Sequence, residues 1–285
     1  MSSTDLAIST RYAGITITDT GGSGYPLLLL HGSGSSRHAF ARQFGSAALK
    51  EVRLLALDLP GHGQSTNASS PEGYTLPNLA AAVASVLDQL GITELAVFGW
   101  SLGGHIAVEL MAHTSAVSGL MLTGTPPVAK GPLGMLRGFR PSRDVLLGTK
   151  LHFSARDAVR FFRMCYGETA DDGLRQALAR SDEQLRTSFL KSMMRGDGQD
   201  QKQLVETADI PIAIVNGAGE PVARLSYLES LAIRNLWDGQ CIVIPGAGHS
   251  PFWQQADRFN GLLARFVEDV AASRCLAHQR CSKRA

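Results

Sequence analysis

Leu95-Ala96-Val97-Phe98-Gly99-Trp100-Ser101-Leu102-Gly103-Gly104 is the stretch whose reading decides the fold. Its first four residues are an apolar run of strand length with no polar interruption, as in a parallel strand covered on both faces. A helical pattern starts directly after the serine and runs over 102–113. Strand and helix therefore meet with no room for an ordinary loop, and Ser101 must sit on a sharp turn. Gly99 and Gly103 stand where backbone atoms approach closely, and the serine hydroxyl is left exposed at the helix N-terminus.

The same kind of apolar run recurs at 26–30, 52–57, 119–122, 210–215 and 241–244, and helical stretches cover 76–90, 222–233 and 252–270. Gly91 is a natural stop for the first of these helices. Strand and helix in alternation predict an α/β fold, a mostly parallel central sheet with helices on both faces. The first residues read differently. Residues 12–18 alternate weakly and turn at Gly21-Gly22-Ser23-Gly24, which predicts antiparallel edge strands ending in a hairpin-like loop. One interval breaks the rhythm: from 126 to 208 there is no buried-strand signal, only amphipathic segments such as 156–166 and 172–194. A structureless loop of that length is implausible in a compact domain, so a helical cap inserted after the sixth strand is expected. The expected organisation is a core of 1–125 and 209–275, a cap of 126–208, and a frayed basic tail over 276–285.

A serine hydroxyl is a poor nucleophile until a base and a group orienting that base stand beside it. The loop after the last apolar run, Pro245-Gly246-Ala247-Gly248-His249-Ser250-Pro251, presents one histidine at the C-terminal edge of the sheet, and His249 is the expected base. The preceding run leads into Asn216-Gly217-Ala218-Gly219-Glu220-Pro221, and Glu220 takes the orienting role although aspartate is commoner at such a place. The loop after the sixth strand, Thr123-Gly124-Thr125, offers no rival carboxylate, and Asp58 is expected to hold the Leu59-Pro60-Gly61-His62-Gly63 turn. His31, His62, His105 and His113 read as structural; His38, His152 and His278 have no partner visible in sequence. An oxyanion would be met by the N–H groups of Ser33, in His31-Gly32-Ser33-Gly34, and of Leu102, which directly follows the nucleophile.

These residues resemble the α/β-hydrolase superfamily over nearly the whole chain. Val97–Ile106 (VFGWSLGGHI), Gly119–Ala129 (GLMLTGTPPVA), Cys165–Glu168 (CYGE), Pro211–Pro221 (PIAIVNGAGEP) and Asn235–Gly239 (NLWDG) are similar to the α/β-hydrolase-fold N-acyl-homoserine lactonases. That resemblance implies a metal-free, cofactor-free Ser-Glu-His triad of Ser101, Glu220 and His249, and a small-molecule ester or lactone as substrate. It also implies a substrate-binding tyrosine in the cap, where this chain has Phe161, with Tyr166 five residues on. Gly32, Trp100, Phe161 and Tyr166 are the expected substrate-binding residues, and Phe153, Phe162 and Met164 are further pocket candidates. A carboxylesterase or carbon–carbon bond hydrolase would use the same triad, and a non-catalytic receptor of this fold would be expected to lack one of its elements.

Composition narrows the rest. With 27 basic and 25 acidic residues the net charge is +2, which leaves no electrostatic footprint for nucleic acid. No apolar run reaches membrane-spanning length, and the N-terminus lacks a secretory pattern, so no membrane partner and a cytoplasmic location are expected. The four cysteines (165, 241, 275 and 281) show no framework spacing and read as thiols; Cys275, His278 and Cys281 lack a fourth ligand, so no metal site is expected.

Overall fold

The computed structural model describes residues 3–169 and 171–282, with 276–282 described by their backbone alone. A single sheet runs in the order β1-β2-β4-β3-β5-β6-β7-β8. Its strands are β1 (Thr4–Ser9), β2 (Gly14–Asp19), β3 (Pro26–Leu30), β4 (Arg53–Leu57), β5 (Leu95–Trp100), β6 (Val117–Thr123), β7 (Ile212–Gly217) and β8 (Ile242–Ile244). β2 pairs antiparallel with β1 and with β4, and every later pairing is parallel. β3 lies between β4 and β5, so the chain reverses its progress across the sheet there. Such a switch point opens a crevice at the carboxyl ends of the strands, which is where Ser33 and Ser101 follow β3 and β5.

The buried strands alternate cleanly between two cores. Leu28, Leu30, Leu55, Val97, Leu120 and Ile214 face one, packed by α2 (Leu76–Gln89) and α3 (Leu102–Leu110). Leu27, Leu29, Leu54, Phe98, Met121 and Val215 face the other, which also holds residues of α10 (Pro251–Gln254) and α11 (Ala256–Ser282). There Phe98 meets the rings of Phe40, Phe252 and Phe259 at 5.8, 5.5 and 5.0 Å between centroids. Each such fully buried aromatic contributes about 1.5 to 3 kcal/mol relative to exposure.

The remaining helices are α1 (Ala41–Phe44), α4 (Pro132–Gly138), α5 (Ala155–Tyr166), α6 (Asp172–Arg180), α7 (Glu183–Arg195), α8 (Gln201–Thr207) and α9 (Leu225–Glu229). α4 to α8 all lie between β6 and β7. Several boundaries differ from expectation. The N-terminal hairpin closes at Thr10–Ala13 (Thr10 N–H to Ala13 carbonyl, 3.0 Å), whereas the glycine loop carries the chain from β2 past β4 to β3. The stretch 172–194 divides at Asp182, whose carboxylate caps α7 through the Gln184 N–H (2.9 Å) and accepts from the Tyr74 hydroxyl (2.6 Å). The helix expected over 222–233 shrinks to α9. Residues 222–224 are drawn out straight, because Arg140 N–H donates to the Val222 carbonyl and Arg224 N–H to the Gly138 carbonyl, each at 2.8 Å. The helix expected over 252–270 breaks at Gln255 and then runs to Ser282 as α11, into the stretch expected to fray. Residues 283–285 of that stretch, and the side chains of His278 and Cys281, lie outside the described residues. Among the described residues no helix is long and apolar enough to cross a membrane.

Candidate active site

Ser101 has φ 53° and ψ −117°, a backbone conformation that side-chain-bearing residues rarely adopt. Its surroundings hold it there. Its N–H donates to the Thr123 carbonyl (2.9 Å), and its own carbonyl accepts from the Thr125 hydroxyl (2.9 Å) and the Gly104 N–H (3.0 Å). The glycines are obligatory: a Cβ on Gly103 would sit 2.2 Å from the Leu30 carbonyl oxygen, and one on Gly99 would sit 2.6 Å from Gly104 Cα. The tight turn is therefore a consequence of pressing α3 against the end of β3.

Glu220 and His249 come from the loops after β7 and β8, both buried. His249 Nδ1 lies 2.8 and 2.9 Å from the two Glu220 carboxylate oxygens. A carboxylate only accepts, so Nδ1 carries the proton and Nε2 is left as the basic nitrogen. Glu220 Oε1 also accepts from the N–H groups of Val222 (2.6 Å) and Ala223 (3.0 Å). Burial works to raise the Glu220 pKa; neighbouring His249 and these hydrogen bonds more than offset it, so the carboxyl is held below its ordinary range. The imidazole is located from two sides. Trp100 Nε1–H donates to the His249 carbonyl (2.8 Å), and a Cβ on Gly124 would lie 2.5 Å from His249 Cε1. Gly124 is fixed in turn by its N–H bond to Asn216 Oδ1 (2.7 Å).

Ser101 and His249 line one cavity of about 420 Å³, together with Gly32, Ser33, Trp100, Leu102 and Phe161. Leu102 is the first residue of α3, so its N–H has no intrahelical acceptor. The loop carrying Ser33 is shaped by two buried imidazoles. His62 Nε2 accepts from the Gly34 N–H (3.1 Å) and His31 Nε2 from the Leu59 N–H (3.0 Å). Burial lowers both pKa values, which keeps these rings neutral and able to accept. Asp58 holds the neighbouring turn through the N–H groups of Arg37 and Gln64, both at 2.8 Å.

Tyr166 stands apart from the other expected substrate contacts. It is buried outside the cavity lining, with its hydroxyl 2.6 Å from Ser35 Oγ and its ring 5.3 Å from that of Trp100. Its side-chain hydroxyl is engaged by Ser35, and its ring packs behind the cavity wall against Trp100. Phe153 and Phe162 also lie outside the lining; Phe153 packs on Phe161 (5.2 Å) and Phe162 beneath Arg175. Met164 lines the cavity as expected.

Sequence reasoning misses several lining residues: Met135, Phe139 and Arg140 near α4, Cys165 on α5, Phe189 on α7, and His105 on α3. Burial, with Glu220 close by, raises the Cys165 pKa and keeps it a thiol. Arg140 Nη1 donates to the Glu220 carbonyl (3.0 Å), tying the segment after β6 to the acid loop. His105 carries one signal that could have found it: it stands four residues after Ser101, one turn into the helix that opens there.

The profile of the alpha/beta hydrolase family matches residues 27–262. The N-acyl homoserine lactonase AidH complexed with N-butanoyl homoserine is 39% identical, with a TM-score of 0.90 over 94% of this chain and 97% of that one. A glutamate-to-glycine mutant of AidH, complexed with N-hexanoyl homoserine, is 38% identical, with a TM-score of 0.91 over 94% of this chain and 98% of that one. Among curated relatives, the pimeloyl-[acyl-carrier protein] methyl ester esterase of Neisseria meningitidis serogroup C is 27% identical over 250 residues, 85% of this chain and 93% of the relative.

Proposed function

This chain belongs to the alpha/beta hydrolase family, and on that premise we propose that it opens the lactone ring of N-acyl-homoserine lactones, with Ser101 as nucleophile, His249 as base and Glu220 as its partner. The observation that carries this reading is the pairing of buried Glu220 with His249 Nδ1, beside a strained Ser101 that lines the same cavity as His249.

His249 Nε2 takes the Ser101 proton as the hydroxyl oxygen attacks the lactone carbonyl, and the imidazolium is stabilised by ionised Glu220. The tetrahedral oxyanion is met by the N–H groups of Ser33 and Leu102, each such donor lowering the barrier by roughly 3 to 4 kcal/mol. Collapse breaks the ring C–O bond, His249 returns its proton to the departing alkoxide, and an acyl-enzyme forms on Ser101. The freed hydroxyl stays tethered and can re-close the ring at high effective molarity, so water must reach the ester first. Water activated by His249 then releases the N-acyl-homoserine. The segment 126–208 acts as the cap: Phe139, Phe161 and Phe189 give an apolar wall suited to an acyl chain.

The likeness to AidH supports the lactone reading, and the methyl ester esterase supports an open-chain ester as the second one. Mass spectrometry of the purified protein with a panel of N-acyl-homoserine lactones and short aryl esters separates them. Addition of one water to the lactones, surviving a chelator and lost in Ser101→Ala, is the expected result. Turnover of aryl esters with the lactones untouched would replace the lactone reading with the ester reading, and loss of activity with the chelator would overturn the metal-free mechanism.

A further inference from the structure

The cavity holds a second imidazole that the proposed mechanism leaves unused. His105 is buried, lines the cavity, stacks on Phe139 at 5.7 Å between centroids and 24° between planes, and has Phe189 at 6.0 Å. Its Nδ1 lies 2.7 Å from Gln201 Oε1, and Gln201 Nε2 donates to the His105 backbone carbonyl at 3.1 Å. The second bond settles the first. The Gln201 amine must face a carbonyl, so its oxygen faces Nδ1, and Nδ1 must be the nitrogen that carries the proton. Nε2 is therefore an unprotonated acceptor, and among the described residues it has no hydrogen-bond partner. Burial lowers the His105 pKa to about 4, so the ring stays in this neutral form.

A substrate that covers an unpaired acceptor in a cavity lined by Met135, Leu136, Phe139 and Phe189 desolvates it at a cost unless the substrate donates to it. Its place says what that donor is attached to. Ser101 is the N-cap of α3, and the His105 N–H donates to the Ser101 carbonyl at 3.2 Å, so His105 stands one turn into the helix from the nucleophile, with both residues lining the cavity. An N–H on the carbon next to the scissile carbonyl, plus one hydrogen bond, spans roughly 5 Å. We propose that His105 is a specificity-determining residue whose Nε2 accepts a hydrogen bond from an amide N–H borne on the carbon adjacent to the scissile carbonyl, so that α-acylamino lactones and esters are the favoured substrate class. This deepens the lactone reading and rests on Ser101 as the nucleophile, but it does not require the ester to be cyclic.

The test measures kcat/KM on two matched pairs. One is an N-acyl-homoserine lactone and its analogue with a methylene in place of the N–H. The other is the 4-nitrophenyl ester of N-acetylalanine and the corresponding 2-methyl-4-oxopentanoate ester. In the wild-type protein the N–H member of each pair is favoured about tenfold, as one hydrogen bond to a site otherwise left unpaired allows. In His105→Phe, which retains the stack on Phe139, that ratio falls to about one because the N–H member of each pair loses more than its methylene analogue. Gln201→Met, which leaves His105 in place but releases its tautomer, reduces the ratio part of the way and guards against a folding failure of the first variant. An unchanged ratio, an equal loss on both members of a pair, or transfer of the effect to Ser33→Ala would overturn the proposal. If the lactone pair is not turned over but the ester pair shows the preference and its loss, the lactone reading fails and the assignment of His105 stands.

Discussion

Two imidazoles face the same cavity, His249 from the loop after β8 and His105 from the first turns of α3, and each has its Nδ1 bound by the side chain of a distant residue. The partners differ by one group. Glu220 is a carboxylate, which fixes the tautomer and also stabilises the imidazolium that forms when a proton arrives. Gln201 is a carboxamide, which fixes the tautomer and does nothing for a positive charge. On the proposed reading the same ring serves as a proton carrier in one place and as a hydrogen-bond acceptor in the other, with burial pushing the pKa of the second down to about 4.

The most severe way to break the comparison is to remove what only His249 serves. Ser101→Ala is expected to lower kcat by about a million-fold, measured on whichever substrate proves best, with the melting temperature little changed. Glu220→Gln makes the first imidazole resemble the second, and kcat is expected to fall by about 10⁴ because the imidazolium loses its counter-charge. A loss under tenfold would show that Glu220 only packs.

A pH series sharpens the second imidazole. The folded protein keeps His105 neutral down to about 4, while the unfolded chain protonates it near 6.5. Between those values the unfolded state binds the extra proton, so stability falls as pH drops through that window, by about 3 kcal/mol in all from this group. Denaturant midpoints from pH 7 to 4 should therefore decline less steeply in His105→Phe than in the wild type; parallel curves would contradict the neutral assignment. Smaller still is Gln201→Glu, which makes the second imidazole resemble the first. It should favour protonation of His105, turn Nε2 into a donor and abolish the roughly tenfold preference for N–H substrates without creating a second base for Ser101. The mildest change is Tyr166→Phe, expected to cost about 1 kcal/mol of stability by removing the hydrogen bond to Ser35, with kcat/KM ratios between substrates unaltered.

What the sequence determined by itself was whatever neighbouring residues and chain order carry. The turn at Ser101 follows from an apolar run, two glycines and a helix joined without a loop, because close backbone approach is a local requirement; the parallel core follows from strands with no polar face. The order serine, glutamate, histidine, each after its own strand, already put Ser101, Glu220 and His249 at one sheet edge. Only the tertiary structure decided how the side chains there were committed. Tyr166 is five residues from Phe161 in sequence, yet its hydroxyl is taken by Ser35. Residues 222–224 read as helix and are held straight by strand-like bonds to the chain around Phe139. His105 looks like any histidine on a buried helix until Gln201, on α8, fixes which nitrogen keeps its lone pair. The direction of a lone pair depends on a partner far away in the chain, and no local pattern encodes that.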